Sequence, residues 1–182
     1  ENSKNNLLYV GANSEVSLPR VRMMSLDSKL TVSNGTVIAT DANTGIAISY
    51  REANVNSFAA NNTLRLEGET PMVSTSGPII FKYNSSLEVA IPKNKFAEGH
   101  IPILAKLIMF DPDSLVKIEG DEFFTKTGGR VCLAEATKSI TLPDAVVQAS
   151  LQSLPSGCRL FVNGKKLYFS SPSMLSTSII IK

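Results

Sequence analysis

The side chains in this sequence that could do acid–base, nucleophilic or metal chemistry are few and scattered. His100 is the single histidine. It follows Gly99 and precedes an apolar stretch, with no serine elbow, Cys–His pairing or metal-ligand spacing around it, so it reads as a surface or capping histidine. Cys132 and Cys158 fall inside expected strands, far from each other and from His100, which argues against a zinc site and for buried free thiols. Asp111, Asp113, Glu119, Asp121 and Glu122 form an acidic run that could hold a hard cation. They straddle a break and a turn, however, and a solvated edge is the plainer reading. Gly128-Gly129 reads as a turn between strands, because no helix or Gly-Lys-Ser/Thr follows to make a phosphate cradle. The expectation is a protein that is not an enzyme and uses neither cofactor nor metal.

The basic residues point to binding instead of catalysis. The formal charge of +2 is too small to announce nucleic-acid binding by itself, so local clusters matter. These are Arg20 with Arg22 and Lys29, Lys93 with Lys95 and Lys106, Lys126 with Arg130, and Lys165 with Lys166; each also fits an ordinary solvated position beside a strand or turn. Sequons at Asn34, Asn61 and Asn84 are of a kind that arises by chance in a chain rich in Asn, Ser and Thr.

The elements that must position these groups are marked by a recurring phrase, an apolar strand ending in proline: Val16-Ser17-Leu18-Pro19, Val89-Ala90-Ile91-Pro92 and Ile140-Thr141-Leu142-Pro143. After the second and third comes an apolar helical stretch, a polar break and two or three alternating strands. The second copy predicts a helix over Ile101 to Phe110 and strands at Leu115 to Glu119, Glu122 to Lys126 and Arg130 to Glu135. The third predicts a helix over Asp144 to Leu154, with Gln148, Ser150 and Gln152 on its polar face, and strands at Arg159 to Asn163, Lys166 to Ser170 and Leu175 to Lys182. The first copy keeps its strands and only a vestige of helix at Arg20 to Leu26. Asn34-Gly35 predicts a hairpin from Leu30 to Thr40, Asn163-Gly164 a second, and Glu119-Gly120-Asp121 a third. Between copies, Glu52 to Ser86 supplies polar loop from Asn54 to Asn62 and strands at Thr63 to Glu67 and Ile79 to Tyr83.

The fold class this predicts is α+β, with repeated β-α-β-β-β units in a mostly antiparallel sheet and helices on one face. A soft boundary near Asn84-Ser85-Ser86 divides the chain into a β-rich domain with a degenerate repeat at 1–84 and a two-repeat domain at 85–182. With 182 residues, 43% of them hydrophobic, a core needs no staples. No apolar run approaches the roughly twenty residues of a membrane span. The start lacks the features of a signal peptide, and the cysteine usage suits an intracellular, reducing compartment.

The succession Phe96 to Phe110, Asp111 to Ile118, Glu122 to Thr127 and Arg130 to Glu135, followed by its copy Ile140 to Lys182, resembles the repeated half-domain of DNA sliding clamps, the processivity factors of replicative polymerases. Leu30 to Asp41 is similar to the clamp hairpin that leads into an Ala-x-Asp corner. The resemblance implies clamp-like domains in a homo-oligomeric ring around double-stranded DNA, contacted without sequence readout, and a DNA polymerase or other replication protein as partner. It implies hole-facing roles for Arg20 and Arg22 on the vestigial first helix, Lys106 on the second, and Gln148 and Gln152 on the third. The compactness suggests a viral or phage source. Two alternatives stand beside it: a β-rich structural or assembly protein such as a virion or appendage subunit, and a monomeric clamp-fold interaction module.

Overall fold

The computed structural model describes residues 4–51 and 59–172. The strand expected at Leu175 to Lys182, and most of the loop expected from Asn54 to Asn62, lie outside the described residues. Strands β1 (Leu7–Val10), β2 (Glu15–Leu18) and β3 (Val21–Arg22) make a first coil. A second is β4 (Lys29–Ser33), β5 (Thr36–Ala39) and β6 (Ile46–Ile48), and a third is β7 (Thr63–Glu67), β8 (Met72–Thr75) and β9 (Pro78–Phe81). The fourth coil is β10 (Ser86–Ala90) and the long β11 (Ile103–Phe110). The fifth is β12 (Leu115–Glu119), a π-helical turn at Phe123–Thr127, and β13 (Gly129–Thr141). Helix α1 (Asp144–Leu151) and strands β14 (Arg159–Asn163) and β15 (Lys166–Ser171) follow.

Each strand pairs in parallel with its counterpart one coil away. Sheet 1 has the order β1-β4-β7-β10-β12; sheet 2 is β2-β5-β8-β11-β13; sheet 3 is β3-β6-β9-β11, and β11 serves both of the last two. The chain is therefore a parallel β-solenoid wound into a nearly closed, barrel-like tube. This corrects the expected fold class: among the described residues the sheets are mostly parallel, and α1 is the single α-helix. Sheet 1 also runs unbroken across position 84, since β10 pairs with β7 on one side and β12 on the other.

Alternation within each strand turns one row of side chains into the tube. Register places Leu8, Leu30, Leu64, Leu87 and Val116 in one inward column and Val10, Val32, Leu66, Val89 and Ile118 in the next. Sheet 3 stacks Ile46, Ile79 and Ile108, then Ile48, Phe81 and Phe110. The Phe81 and Phe110 rings lie 4.6 Å apart and within 4° of parallel, which is the spacing of neighbouring strands expressed in side chains.

Local corrections follow from this winding. Asn34-Gly35 does not close a hairpin: β4 and β5 belong to different sheets. A type I′ turn needs φ > 0 at both central residues. Here only Asn34 is left-handed, at φ 51°, and one such residue bends the chain around a corner. Gly35 is required for a close approach, because a Cβ there would stand 2.5 Å from the Gly11 carbonyl oxygen. Ile101 to Phe110 is not a helix but β11. Its buried positions Ile103, Ala105, Ile108 and Phe110 change parity at a bulge between Ala105 and Leu107, so strict alternation is hidden. Arg20 to Leu26 holds β3 instead of a helix, and Glu122 to Lys126 holds the π-helical turn in place of a hairpin strand. The β14–β15 hairpin and α1 form where expected, although Ser150 is buried instead of lying on a polar face.

Every sheet 1 strand is entered through an Asn or Asp followed by an Asn or Ser. Asn5, Asp27, Asn61 and Asn84 each stand two positions ahead of a strand with φ between 53° and 57°, and Asp113 holds the equivalent place before β12. The next residue is polar, and Ser28, Asn62, Ser85 and Ser114 are all buried. Three of the four bond neighbouring coils: the Ser28 N–H donates to Asn62 Oδ1 at 2.8 Å, and the Ser114 hydroxyl donates to the Phe81 carbonyl at 3.0 Å.

Truncating the central inward column should cost far more than truncating its end. Leu64→Ala, at a fully buried site, is expected to lose about 2–5 kcal/mol, whereas Leu8→Ala should lose about 1 kcal/mol or less because half of that side chain already meets solvent. Urea unfolding midpoints of the two variants check this; equal losses would contradict the stacking.

Candidate functional site: the open first coil and a corner groove

The two ends of the tube differ. At the fifth coil, β13 pairs with β11 in parallel on one side and with β15 antiparallel on the other, and β14 completes that hairpin. Helix α1 packs along β12, burying Val146, and its Ser150 hydroxyl accepts the Val116 N–H at 2.9 Å. That bond occupies a donor on the edge strand. At the first coil, β1, β2 and β3 are each paired on one side only among the described residues. Leu8, in the column whose other members are 0–2% exposed, is 51% exposed, and Leu18, stacked on Ala39, is 41% exposed. Leu7 and Tyr9, on the outer face of β1, are exposed as well. Unpaired parallel strands over an uncovered aliphatic layer make a template for further pairing.

The outer face of sheet 1 is charged but internally balanced. Lys29 and Lys117 hold Glu88 at 2.8 and 3.1 Å, and Arg65 reaches Glu88 at 3.5 Å, Glu67 at 3.0 Å and Glu119 at 2.8 Å. Three cations face three carboxylates, so this face offers no net field to a charged partner. Burial opposes ionisation of Glu88, but the hydrogen bonds and charges of Lys29 and Lys117 more than offset it and hold its carboxyl below the ordinary range. Elsewhere the acidic run is dispersed: Glu119 pairs with Arg65, and Glu122 with Lys93 and Lys126. No group of three or more His, Cys, Asp or Glu side chains able to hold a metal occurs among the described residues. His100 binds the Pro71 carbonyl through Nε2 at 2.6 Å, fastening the 92–102 loop to the coil below. Cys132 and Cys158 are unpaired, and burial pushes the Cys132 thiol up.

The five residues expected to line a DNA-bearing hole do not converge. Arg20 is exposed at the corner between β2 and β3, and Arg22 lies on β3 with its guanidinium 4.1 Å from the centre of the Tyr50 ring. Gln148 and Gln152 are exposed at the capped end. Lys106 occupies the bulge of β11, where its N–H bonds the Gly77 carbonyl at 3.0 Å.

Lys106 does belong to a site that sequence reasoning missed. The corner between sheets 2 and 3 is concave, forming a groove of about 600 Å³ that crosses the second to fifth coils and includes Thr40, Ser76, Lys106, Thr137 and Lys138 over a floor containing Leu104. Asp41, the nearby acid, is turned into its own loop: the Thr44 hydroxyl at 2.6 Å and the Asn43 N–H at 2.8 Å hold its carboxyl below the usual range. The groove unites residues from four separate coils, so no local motif could have flagged it.

No family model, curated protein or solved structure matches this chain. No helix among the described residues is long and apolar enough to cross a membrane.

The sheet 1 network gives a signed pH dependence. Because the folded Glu88 carboxyl lies below its ordinary value of 4.5, its contribution is present above that pH and is lost as the pH falls through the folded value. Glu88→Gln should lower stability at pH 7 by on the order of 1 kcal/mol and flatten the acid limb of stability against pH. Denaturant titrations from pH 7 to pH 3 read both effects, and an unchanged acid limb would remove Glu88 as its source.

Proposed function

We propose that this chain is a non-enzymatic structural or assembly module, a short β-solenoid rod closed at one end and built to receive a further parallel coil at the other. The observation that carries this reading is the difference between the ends: α1 and the β14–β15 hairpin cover the fifth coil, while Leu8 and Leu18 leave the first coil's core layer open. An occupant must pair with β1, β2 and β3 together and place an aliphatic row over Leu8 and Leu18. A coil wound in the same direction meets both demands. A second copy packed head to head would run antiparallel to β1, β2 and β3, whereas every pairing these strands make within the tube is parallel, and on that ground we assign the edge to a parallel coil.

The clamp reading loses the features that supported it. A ring of that kind places helices along an inner face, whereas α1 lies on the edge of β12 with no basic residue in its last turn. What remains of the sequence expectation is its second form, a β-rich subunit that works through protein–protein contact.

Adding a coil tests the proposal. A variant with a second copy of the 63–85 segment, one coil in register terms because Thr63 pairs with Ser86, joined directly ahead of Leu7 should melt at least about 4 °C higher, since each kcal/mol is worth roughly 2–4 °C in a domain of this size. Hydrogen exchange at the Tyr9 amide should slow in parallel. An added segment that stays unstructured, leaving melting and exchange unchanged, would sink the proposal, as would a stable dimer of the unmodified chain abolished by Leu8→Lys.

A further inference from the structure

We infer that the corner groove between sheets 2 and 3 is a binding site for a linear acidic glycan lying along the tube axis. The first ground is charge. Most other cations in the described chain are spent: Lys29, Arg65, Lys93, Lys117, Lys126 and Lys166 pair with carboxylates, Arg22, Arg51 and Arg130 lie over tyrosine rings, and Lys165 is bonded to the Thr137 carbonyl. Lys106 and Lys138 have no carboxylate partner among the described residues, and both line the same concavity.

The second ground is spacing. Lys106 and Lys138 come from adjacent coils, since Ala105 pairs with Ala136 and Leu107 with Ser139, so their backbones are separated by one strand spacing of about 4.8 Å. An extended chain of linked pyranoses advances by a closely similar distance per sugar, which lets successive residues meet successive coils. The third ground is chemistry. Thr40, Ser76 and Thr137 offer hydroxyls beside the two ammoniums, and Leu104 gives an apolar floor for the carbon face of a sugar ring. Single-stranded nucleic acid fits less well, because the groove contains no aromatic side chain on which bases could stack.

Calorimetric titration of the purified chain tests this with two acidic probes, an oligogalacturonate carrying carboxylates and a heparin oligosaccharide carrying sulfates. A neutral dextran oligosaccharide and a single-stranded oligonucleotide serve as comparisons. At least one acidic glycan should bind, and the one that binds identifies the anionic group. Lys106→Ala with Lys138→Ala should weaken that binding at least tenfold with an unchanged melting temperature, while Lys82→Ala, on a different corner, should leave it intact. The inference fails if neither acidic glycan binds, if the double variant binds as tightly as the parent, or if dextran or the oligonucleotide binds equally well. None of these results bears on whether a further coil docks on β1, because that edge and the groove are separate surfaces.

Discussion

The constraint on which the rest of this structure depends is the fixed translation between parallel strands. Once β4 is set beside β1 and β7 beside β4, every inward side chain must lie one strand spacing above a residue of the preceding coil. Columns of like shape satisfy this best. Aliphatic residues stack on aliphatic residues through the interior, and the one aromatic step, Phe81 on Phe110, is near parallel because the backbone leaves it no other approach. The same translation acts outside the tube, bringing Lys29, Arg65, Glu88 and Lys117 from four different coils within reach of one another. Like charges stacked in register would repel, and the alternation of sign along this face removes that cost.

The coils are unequal in length. Successive sheet 1 strands start at Leu7, Lys29, Thr63, Ser86 and Leu115, so the intervals are 22, 34, 23 and 29 residues. The entry corners help to hold the strands in register despite this: four of the five carry a left-handed Asn or Asp, and at three the buried polar residue that follows, Ser28, Asn62 or Ser114, bonds a neighbouring coil. Ser85 departs from the pattern, since its hydroxyl is buried without a partner; its column neighbours Asn62 and Ser114 are bonded.

This explains which parts of the fold were legible in the sequence. Individual strands such as Lys29–Ser33, Thr63–Glu67 and Leu115–Glu119 were readable because alternation is local. Their partners were not, because parallel pairing leaves no mark at the turn, and Asn34-Gly35 looks the same whether it reverses the chain or bends it. The strand–proline phrases misled for a related reason: Pro19 follows a sheet 2 strand, Pro92 a sheet 1 strand, and Pro143 precedes the cap, so they are not equivalent positions. The informative repeat was the polar pair at 5–6, 27–28, 61–62, 84–85 and 113–114. Two of the three sequon asparagines, Asn61 and Asn84, belong to it, and the third, Asn34, is also left-handed at a corner. Of the groove, only Lys106 was singled out beforehand, and for a helix that does not form.

A solenoid has no natural stopping point, because each finished coil presents the same edge on which it was laid down. Ending one requires a change of pattern, and here the change is made twice. β13 passes from parallel to antiparallel pairing along its length, which takes sheet 2 out of the winding. A serine hydroxyl on α1 takes the Val116 N–H that another coil would have used, which withdraws that donor of sheet 1. Among the described residues, neither device is present at β1, β2 and β3. A rod blocked at one end cannot polymerise head to tail through the other, so the coil we propose for the open edge implies one docking event and not a filament. Lys106 and Lys138, on the fourth and fifth coils, lie toward the capped end, and the open edge of β1 is at the other.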